Sequence, residues 1–303
     1  MQTLLLTNSY DATADLLISY IGSDHVFRLN FDQWDSYKLC MLDGSVNIET
    51  EFHSLNSSQV VKSYWRKPFA IPAESDQECK QYVNSELHYI FRELHNLFSA
   101  TGRAVLVSPH SERFVGKLSQ LRIAKRYFLI PKWSVFWNSL PDIQGQVVVK
   151  SLSSERVGMS RIFFTKQVAL NTLSPTYPWY AQELVQATHD ITVVYVGGYC
   201  YAFSLDRSLF ESMDWRRAHE AHGAWQHFDL APALTRQIQS FMNDCRLSFG
   251  RLDFLKCADK FFFLEVNPNG EWGWLDTENK YGLLARMIEE VSPLCALHTP
   301  PLI

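Results

Sequence analysis

No two cysteines in this chain are spaced as CxxC, and no cluster of histidine and cysteine has the spacing of a zinc site. The six cysteines, at 40, 79, 200, 245, 257 and 295, are scattered, which fits reduced structural thiols in a cytoplasmic protein. No apolar run is long enough to span a bilayer, so no membrane attachment is expected. The opening MQTLLLTNSYDAT lacks the basic start and long apolar core of a secretory signal and reads as a first buried strand. Basic charge is not in excess either. The net charge of −4 argues against a general attraction to nucleic-acid phosphates, so no nucleic-acid partner is expected. Internal repeats and low-complexity tracts are also missing.

What is present is an ordinary globular composition rich in aromatics. Its 303 residues are enough for two or three packed units. TLLLTN reads as a strand, ATADLLISYI as an amphipathic helix with Asp11 near its start, and HVFRLNFD as a second strand. This β-α-β beginning suggests an open α/β domain. A helix over CKQYVNSELHYIFRELHNLFSA ends at Gly102, and AVLVSP closes the unit as a strand, with Pro109 at the boundary. Beyond it, a helix lies within ERFVGKLSQLRIAKRYFLIPKW and ends before Pro131. QVVVKSL, RIFFTK and WYAQELV read as strands, with SSERVGMS as a mobile loop between the first two. ITVVYVGGYCYAFSLD is a hairpin turning at Gly197-Gly198. APALTRQIQSFMNDC and YGLLARMIEEV are the last helices.

The chemistry concentrates in GRLDFLKCADKFFFLEVN, two strands around the turn Ala258-Asp259-Lys260. Side chains alternate along a strand, so Arg251 and Asp253 share one face, as do Glu265 and Asn267. Folded about Asp259, the hairpin sets Cys257 opposite Phe261, Asp253 opposite Glu265 and Arg251 opposite Asn267. Facing like charges destabilise a sheet, whereas a divalent cation would turn them into a binding site. Asp253, Glu265 and Asn267 offer the hard oxygen ligands that Mg²⁺ prefers. The bland alternative leaves Asp253 in solvent and pairs Glu265 with Arg251. Lys150 ends an apolar strand before the small polar loop, where it could hold a phosphate or simply mark the strand end. Lys117, after FVG, is a phosphate contact or a solvated helical lysine. QELV at 182–185 is an adenine edge or an ordinary strand.

In order along the chain stand a lysine, a lysine-ended strand with a loop, a Glu-bearing strand, then R-x-D and E-x-N on paired strands. This succession, above all GRLDF and FLEVNP, resembles the ATP-grasp family over about residues 110–290. The resemblance implies an α/β protein with α+β lobes. An N-terminal α/β (pre-ATP-grasp) domain would span 1–109, a central ATP-grasp lobe 110–185, and a C-terminal lobe with the magnesium hairpin 186–303. It implies an ADP-forming ligase using ATP and Mg²⁺. Lys117 and Lys150 would contact phosphates, Glu183 and Val185 the adenine, and Asp190 the ribose. Asp253, Glu265 and Asn267 would hold Mg²⁺. Arg251 would stabilise an acyl phosphate and the tetrahedral intermediate, and the 151–160 loop would exclude water.

Further stretches narrow the resemblance. NPNGEWGWLD and AFSLDRSLFESMDWRR, with TNSYDATAD, FRLNFDQWD and YWRKPF, are similar to the graspetide (microviridin-type) synthetases, which crosslink ribosomal peptides. That implies a precursor peptide with a leader as partner, side-chain macrolactones or macrolactams as products, Asp214 and Arg216 positioning the peptide, and a homodimer. Trp272 and Trp274 could equally be core anchors, and Asp214 with Arg216 an internal ion pair. QATHD departs from the hinge pattern expected at the ribose. Two other readings stand beside this one: a RimK-like ligase adding an amino acid to a peptide or protein terminus, and a non-catalytic ATP-binding regulatory module.

Overall fold

The structure, a computed structural model, describes residues 1–68, 79–139, 141, 146–153, 165–211, 214–218 and 223–295. β1 (Gln2–Thr7) carries Leu4, Leu5 and Leu6, all fully buried, the unbroken apolar run of a strand covered on both faces. α1 (Ala12–Ile21) is capped by Asp11, whose carboxylate accepts from the N–H groups of Thr13 and Ala14. β2 (Val26–Asn30) lies parallel to β1. A small antiparallel sheet that the sequence did not signal comes next: β3 (Lys38–Leu42), β4 (Ser45–Glu49) and β5 (Ser54–Asn56), with Val46, Ile48 and Leu55 turned inward. β6 (Val60–Trp65) returns to the other side of β1, and α2 (Lys80–Ala100) crosses over to β7 (Ala104–Val105). The parallel order is β2-β1-β6-β7.

One expectation is corrected here. The strand over AVLVSP is only two residues long, because Leu106 adopts a left-handed backbone (φ +61°) that no strand continues through. The helix expected before Pro131 is α4 (Lys117–Ala124), and a short α3 (Pro109–Phe114) precedes it across Val115-Gly116. Pro109 is the first residue of α3 behind a Ser108 cap, where its missing N–H costs nothing.

β8 (Trp133–Phe136), β9 (Gln146–Lys150), β10 (Lys166–Ala169) and β11 (Trp179–Glu183) form an antiparallel sheet in the order β10-β9-β11-β8. Val147, Val149 and Ala181 are its buried centre. The expected loop SSERVGMS and the strand RIFFTK lie largely outside the described residues, which stop at 153 and resume at 165.

β12 (His189–Val196) and β13 (Tyr199–Asp206) form the hairpin expected at Gly197-Gly198. With β14 (Gln226–His227), β15 (Phe249–Cys257) and β16 (Lys260–Asn267) they build a sheet ordered β14-β13-β12-β15-β16, and α5 (Pro232–Asp244) lies between β14 and β15 in the chain. One face of this sheet packs on α4 and α5. Leu252, Phe254, Phe263 and Val266 meet Leu121, Ile238, Phe241 and Met242, and Phe128 stacks on Phe263 at 5.5 Å. Burial of that face forces Arg251, Asp253 and Glu265 onto the other one. Finally α6 (Leu283–Val291) packs back on the first sheet. Its Leu283, Leu284 and Met287, together with the fully buried Trp272, share one core with Leu4, Leu17 and Tyr64. Thr3 Oγ1 donates to the Val291 carbonyl at 2.6 Å. No helix among the described residues is long and apolar enough to cross a membrane.

One buried group makes the first unit pH-sensitive. His95 is fully buried beside Ser63 Oγ, at 3.0 Å from its Nδ1, and burial pushes its pKa down to about 4. The unfolded chain therefore binds a proton near pH 6.5 that the folded chain refuses until about pH 4. Stability from this group is complete above pH 6.5 and falls toward pH 4, by roughly 3 kcal/mol in all. Urea unfolding of wild type and His95→Phe across this range should show the steeper loss in wild type. Other titrating groups are common to both proteins and cancel in the difference.

Candidate active site

The hairpin of β15 and β16 differs from expectation in its turn and agrees with it at its chemistry. The turn is two residues, Ala258-Asp259, so Cys257 pairs with Lys260 and not with Phe261. A bulge then leaves Leu264 unpaired and restores the expected facing pairs, Asp253 with Glu265 and Arg251 with Asn267. Without the extra residue Asp253 would face Leu264, and Glu265 would point into the apolar core beside Phe263. Phe263 and Val266, three apart, are both buried, which is the signature of the bulge.

Around the facing acids the contacts are uneven. Asp253 accepts from Thr192 Oγ1 at 2.9 Å, from Arg251 Nη2 at 3.3 Å and from Asn267 Nδ2 at 3.4 Å. Glu265 makes no hydrogen bond or ion pair among the described residues. The alternative in which Glu265 pairs with Arg251 and Asp253 stands in solvent is therefore not what the chain adopts. Arg251 lies on Asp253, and its Nη1 donates to the Glu271 carbonyl at 3.1 Å.

The opposing wall comes from the β8–β11 sheet. Lys150, the last residue of β9, faces the acids. Burial lowers its pKa, the Glu265 and Asp253 carboxylates pull it back up, and Arg216 and Lys117 push it down. Lys117 opens α4 as expected and donates to the Ser151 carbonyl at 3.0 Å, one residue beyond Lys150. Glu183 ends β11, its N–H given to the Lys132 carbonyl at 2.7 Å. Asp190 is gripped by Arg207 Nη1 at 2.8 and 3.0 Å. Burial raises its pKa to about 6 although Arg207 opposes the rise.

One cleft is lined by Lys150, Glu183, Val185, Asp190, Asp214, Arg216, Arg251, Asp253 and Glu265. Of the two expected residues outside that lining, Asn267 touches it through Asp253, and Lys117 reaches it only through its charge on Lys150, next to the Ser151 whose carbonyl it holds. At the rim, Asp214 is buried and Arg216 is half-exposed. Arg216 donates from Nε at 2.7 Å and Nη2 at 2.5 Å, a bidentate pair, while Thr165 N–H approaches Asp214 at 3.4 Å. Burial would raise the Asp214 pKa, but these hydrogen bonds and the Arg216 charge hold it below the usual carboxylate value. Trp215, Trp225 and Trp274 meet beside this pair with ring centres 5.3–5.6 Å apart. Trp272 is core and Trp274 is part of this rim, so the two tryptophans divide the roles open to them.

Sequence reading missed Thr192, Arg207 and a cation cluster of Arg66 and Lys67 on Glu271. Threonine is common in strands and gave no signal. Arg207 could have been suspected only from its place directly after a strand end.

Among the described residues, no three His, Cys, Asp or Glu side chains gather as a metal cluster. Two facing carboxylates and an amide are nevertheless enough for Mg²⁺, which keeps waters and phosphate oxygens in its shell. A carboxylate left without a partner opposite another carboxylate fits such an ion.

No protein-family model and no curated protein matches the chain. Solved structures do. A Chryseobacterium gregarium RiPP-associated ATP-grasp ligase, in complex with ADP and a leader and core peptide, is similar at 21% identity and TM-score 0.80, over 99% of this chain and 98% of its own. The macrocyclase MdnC from Microcystis aeruginosa, bound with precursor peptide MdnA, is similar at 21% identity and TM-score 0.80, over 96% and 99%. A D-alanine–D-alanine ligase from Bacillus anthracis complexed with ATP is similar at 10% identity and TM-score 0.53, over 98% of each chain. The chain has the ATP-grasp fold, and the α/β reading of the sequence is borne out.

Glu265→Gln removes no hydrogen bond, so its melting temperature without metal should stay within about 3 °C of wild type. Wild type is expected to melt higher with Mg²⁺ and ATP, and that shift should be lost in the variant. Scanning calorimetry with and without Mg²⁺ and ATP checks this. A retained shift would remove Glu265 from the metal site.

Proposed function

We propose that this chain is an ATP-dependent ligase that works through an acyl phosphate and closes side-chain ester or amide rings in a ribosomally made precursor peptide. The observation that carries the reading is the facing pair Asp253–Glu265, with Arg251 beside it and Lys150 across the cleft. The near full-length likeness to one peptide-bound ligase and one peptide-bound macrocyclase supports the choice of a peptide as substrate. On this reading residues 1–109, 110–185 and 186–303 are the pre-ATP-grasp, central and C-terminal units.

A carboxylate is a poor electrophile because it carries negative charge and no good leaving group. Transfer of the γ-phosphoryl group to an Asp or Glu side chain of the peptide releases ADP and makes phosphate the leaving group. A Ser or Thr hydroxyl, or a Lys amine, then attacks the carbonyl and loses its proton, and phosphate departs. When bound, Mg²⁺ would neutralise charge on the phosphate oxygens, held by Asp253, Glu265 and Asn267. Lys150 and Lys117 bring positive charge to the phosphates from the opposite wall. Glu183 and Val185 edge the adenine, and Asp190, oriented by Arg207, accepts from the ribose. Arg251 aims a guanidinium at the oxygen that gains charge in the tetrahedral intermediate. Arg216, locked by Asp214 at the rim beside three tryptophans, positions the peptide.

Incubation with ATP, Mg²⁺ and a short peptide encoded next to this chain, rich in Thr, Ser or Lys and in Glu or Asp, tests the proposal. Loss of one water mass per bond, with one ADP formed each time, is the expected result. A gain of an amino-acid residue mass would favour the terminus-extending ligase. ATP binding without ADP from any peptide would favour a regulatory module. Asp214→Ala should lower peptide turnover on the order of tenfold or more while the Kd for ATP changes less than about threefold. Equal losses in both would remove the peptide role from Asp214.

A further inference from the structure

The first unit reaches the reaction centre through two adjacent cations. Arg66 follows β6 and is fully buried, its Nε on the Asp11 carboxylate at 2.8 Å and its Nη2 paired with Glu271. Lys67 adopts a left-handed backbone (φ +44°), unusual for a long side chain, and its carbonyl is pinned by Asn8 Nδ2 at 2.9 Å. That conformation brings Lys67 Nζ to the other oxygen of the same carboxylate, Glu271 Oε1, at 2.8 Å. Thr13 Oγ1, at the start of α1, donates to Glu271 Oε2 at 3.0 Å. Two residues on, a side chain at Gly273 would strike Thr13 at 2.5 Å, so the 271–273 backbone lies hard against α1. Glu271 is thus fixed from three sides by the first unit alone, and the cations hold its carboxyl at about 2 against the cost of burial.

The same residue turns its backbone toward the chemistry. Arg251 Nη1 donates to the Glu271 carbonyl, and the other contact of its guanidinium is Asp253 at 3.3 Å. In the proposed function Asp253 is a metal ligand, which leaves the Glu271 carbonyl as the metal-independent restraint on Arg251. Arg251 Nε is buried without a partner among the described residues, so nothing else there sets its tilt.

We propose that Arg66 and Lys67 are positioning residues: by clamping the Glu271 side chain they fix its carbonyl, and that carbonyl aims Arg251 at the reacting carbonyl. This rests on the ligase reading for the role of Arg251, but the mechanical part stands on geometry alone.

The test uses the full chain with Lys67→Met, Lys67→Arg, Glu271→Gln and Arg251→Lys. Lys67 is at the edge of the cluster and its loss leaves the buried Arg66–Asp11 pair intact. Lys67→Met and Glu271→Gln should lower kcat for peptide-dependent ADP release on the order of 30-fold, as a misplacement relayed from a distance does. KM for ATP should stay within about twofold, and Lys67→Arg should recover most of the loss. Adding Glu271→Gln to Arg251→Lys should cost little more, because both act through one group. Fully multiplicative losses, or an unchanged kcat in both single variants, would overturn the proposal. A second readout needs no turnover. The Arg251 Nη1–H signal in ¹⁵N-arginine spectra, identified by its loss in Arg251→Lys, should exchange slowly in wild type, where it donates to the Glu271 carbonyl, and quickly in Glu271→Gln. If wild type turns over no peptide, the ligase reading fails and this exchange rate alone decides the positioning claim: equal protection in both proteins overturns it.

Discussion

Two carboxylates face one another across β15 and β16, and much of the molecule is arranged so that this is tolerable. A sheet does not hold like charges opposite each other without compensation. Asp253 has three donors around it, one each from β12, β15 and β16. Glu265 has no donor among the described residues, and what it feels is the positive field of Lys150 from the neighbouring sheet and of Arg216 at the rim. The asymmetry sorts the two acids: one is held in place before any ligand arrives, the other is left free to engage one. The apolar layer of Phe254, Phe263 and Phe128 on the far side gives these polar residues no way back into the core.

That arrangement extends beyond the hairpin. Lys150 is delivered by a sheet whose own small core is separate, and the cleft is the seam between the two sheets. The segment after the hairpin touches the seam at the Glu271 carbonyl and at Trp274 and otherwise leaves it. Trp272 and α6 sink into the core of the first unit, so the first and last parts of the chain form one body around Leu4–Leu6. A continuous core of this kind ties the acid-bearing strand to the opening strand through packing as well as through Glu271.

How much of this was legible in the sequence depended on range. Alternation along GRLDF and FLEVN was enough to put Arg251, Asp253, Glu265 and Asn267 on one face, because strand geometry is local. The facing of Asp253 with Glu265 was read correctly through a turn one residue too long. The bulge at Leu264 makes up the difference, and nothing in LEVN announces it. The β3–β5 sheet was overlooked because its outward residues are polar and its strands short, which reads as loop. Arg66 and Glu271 lie 205 residues apart and became visible as partners only in three dimensions. The division of Trp272 and Trp274 between core and rim, two residues apart in one irregular stretch, follows no periodicity that a sequence displays.

The tryptophan trio at the rim has an experimental corollary. Trp215, Trp225 and Trp274 belong to two separate stretches of chain yet sit within one ring diameter of each other. Indoles this close couple their electronic transitions, so the trio carries a built-in optical gauge. Any rearrangement that shifts the Asp214–Arg216 turn relative to the stretch after β16 alters the near-ultraviolet dichroism and emission of the unlabelled protein.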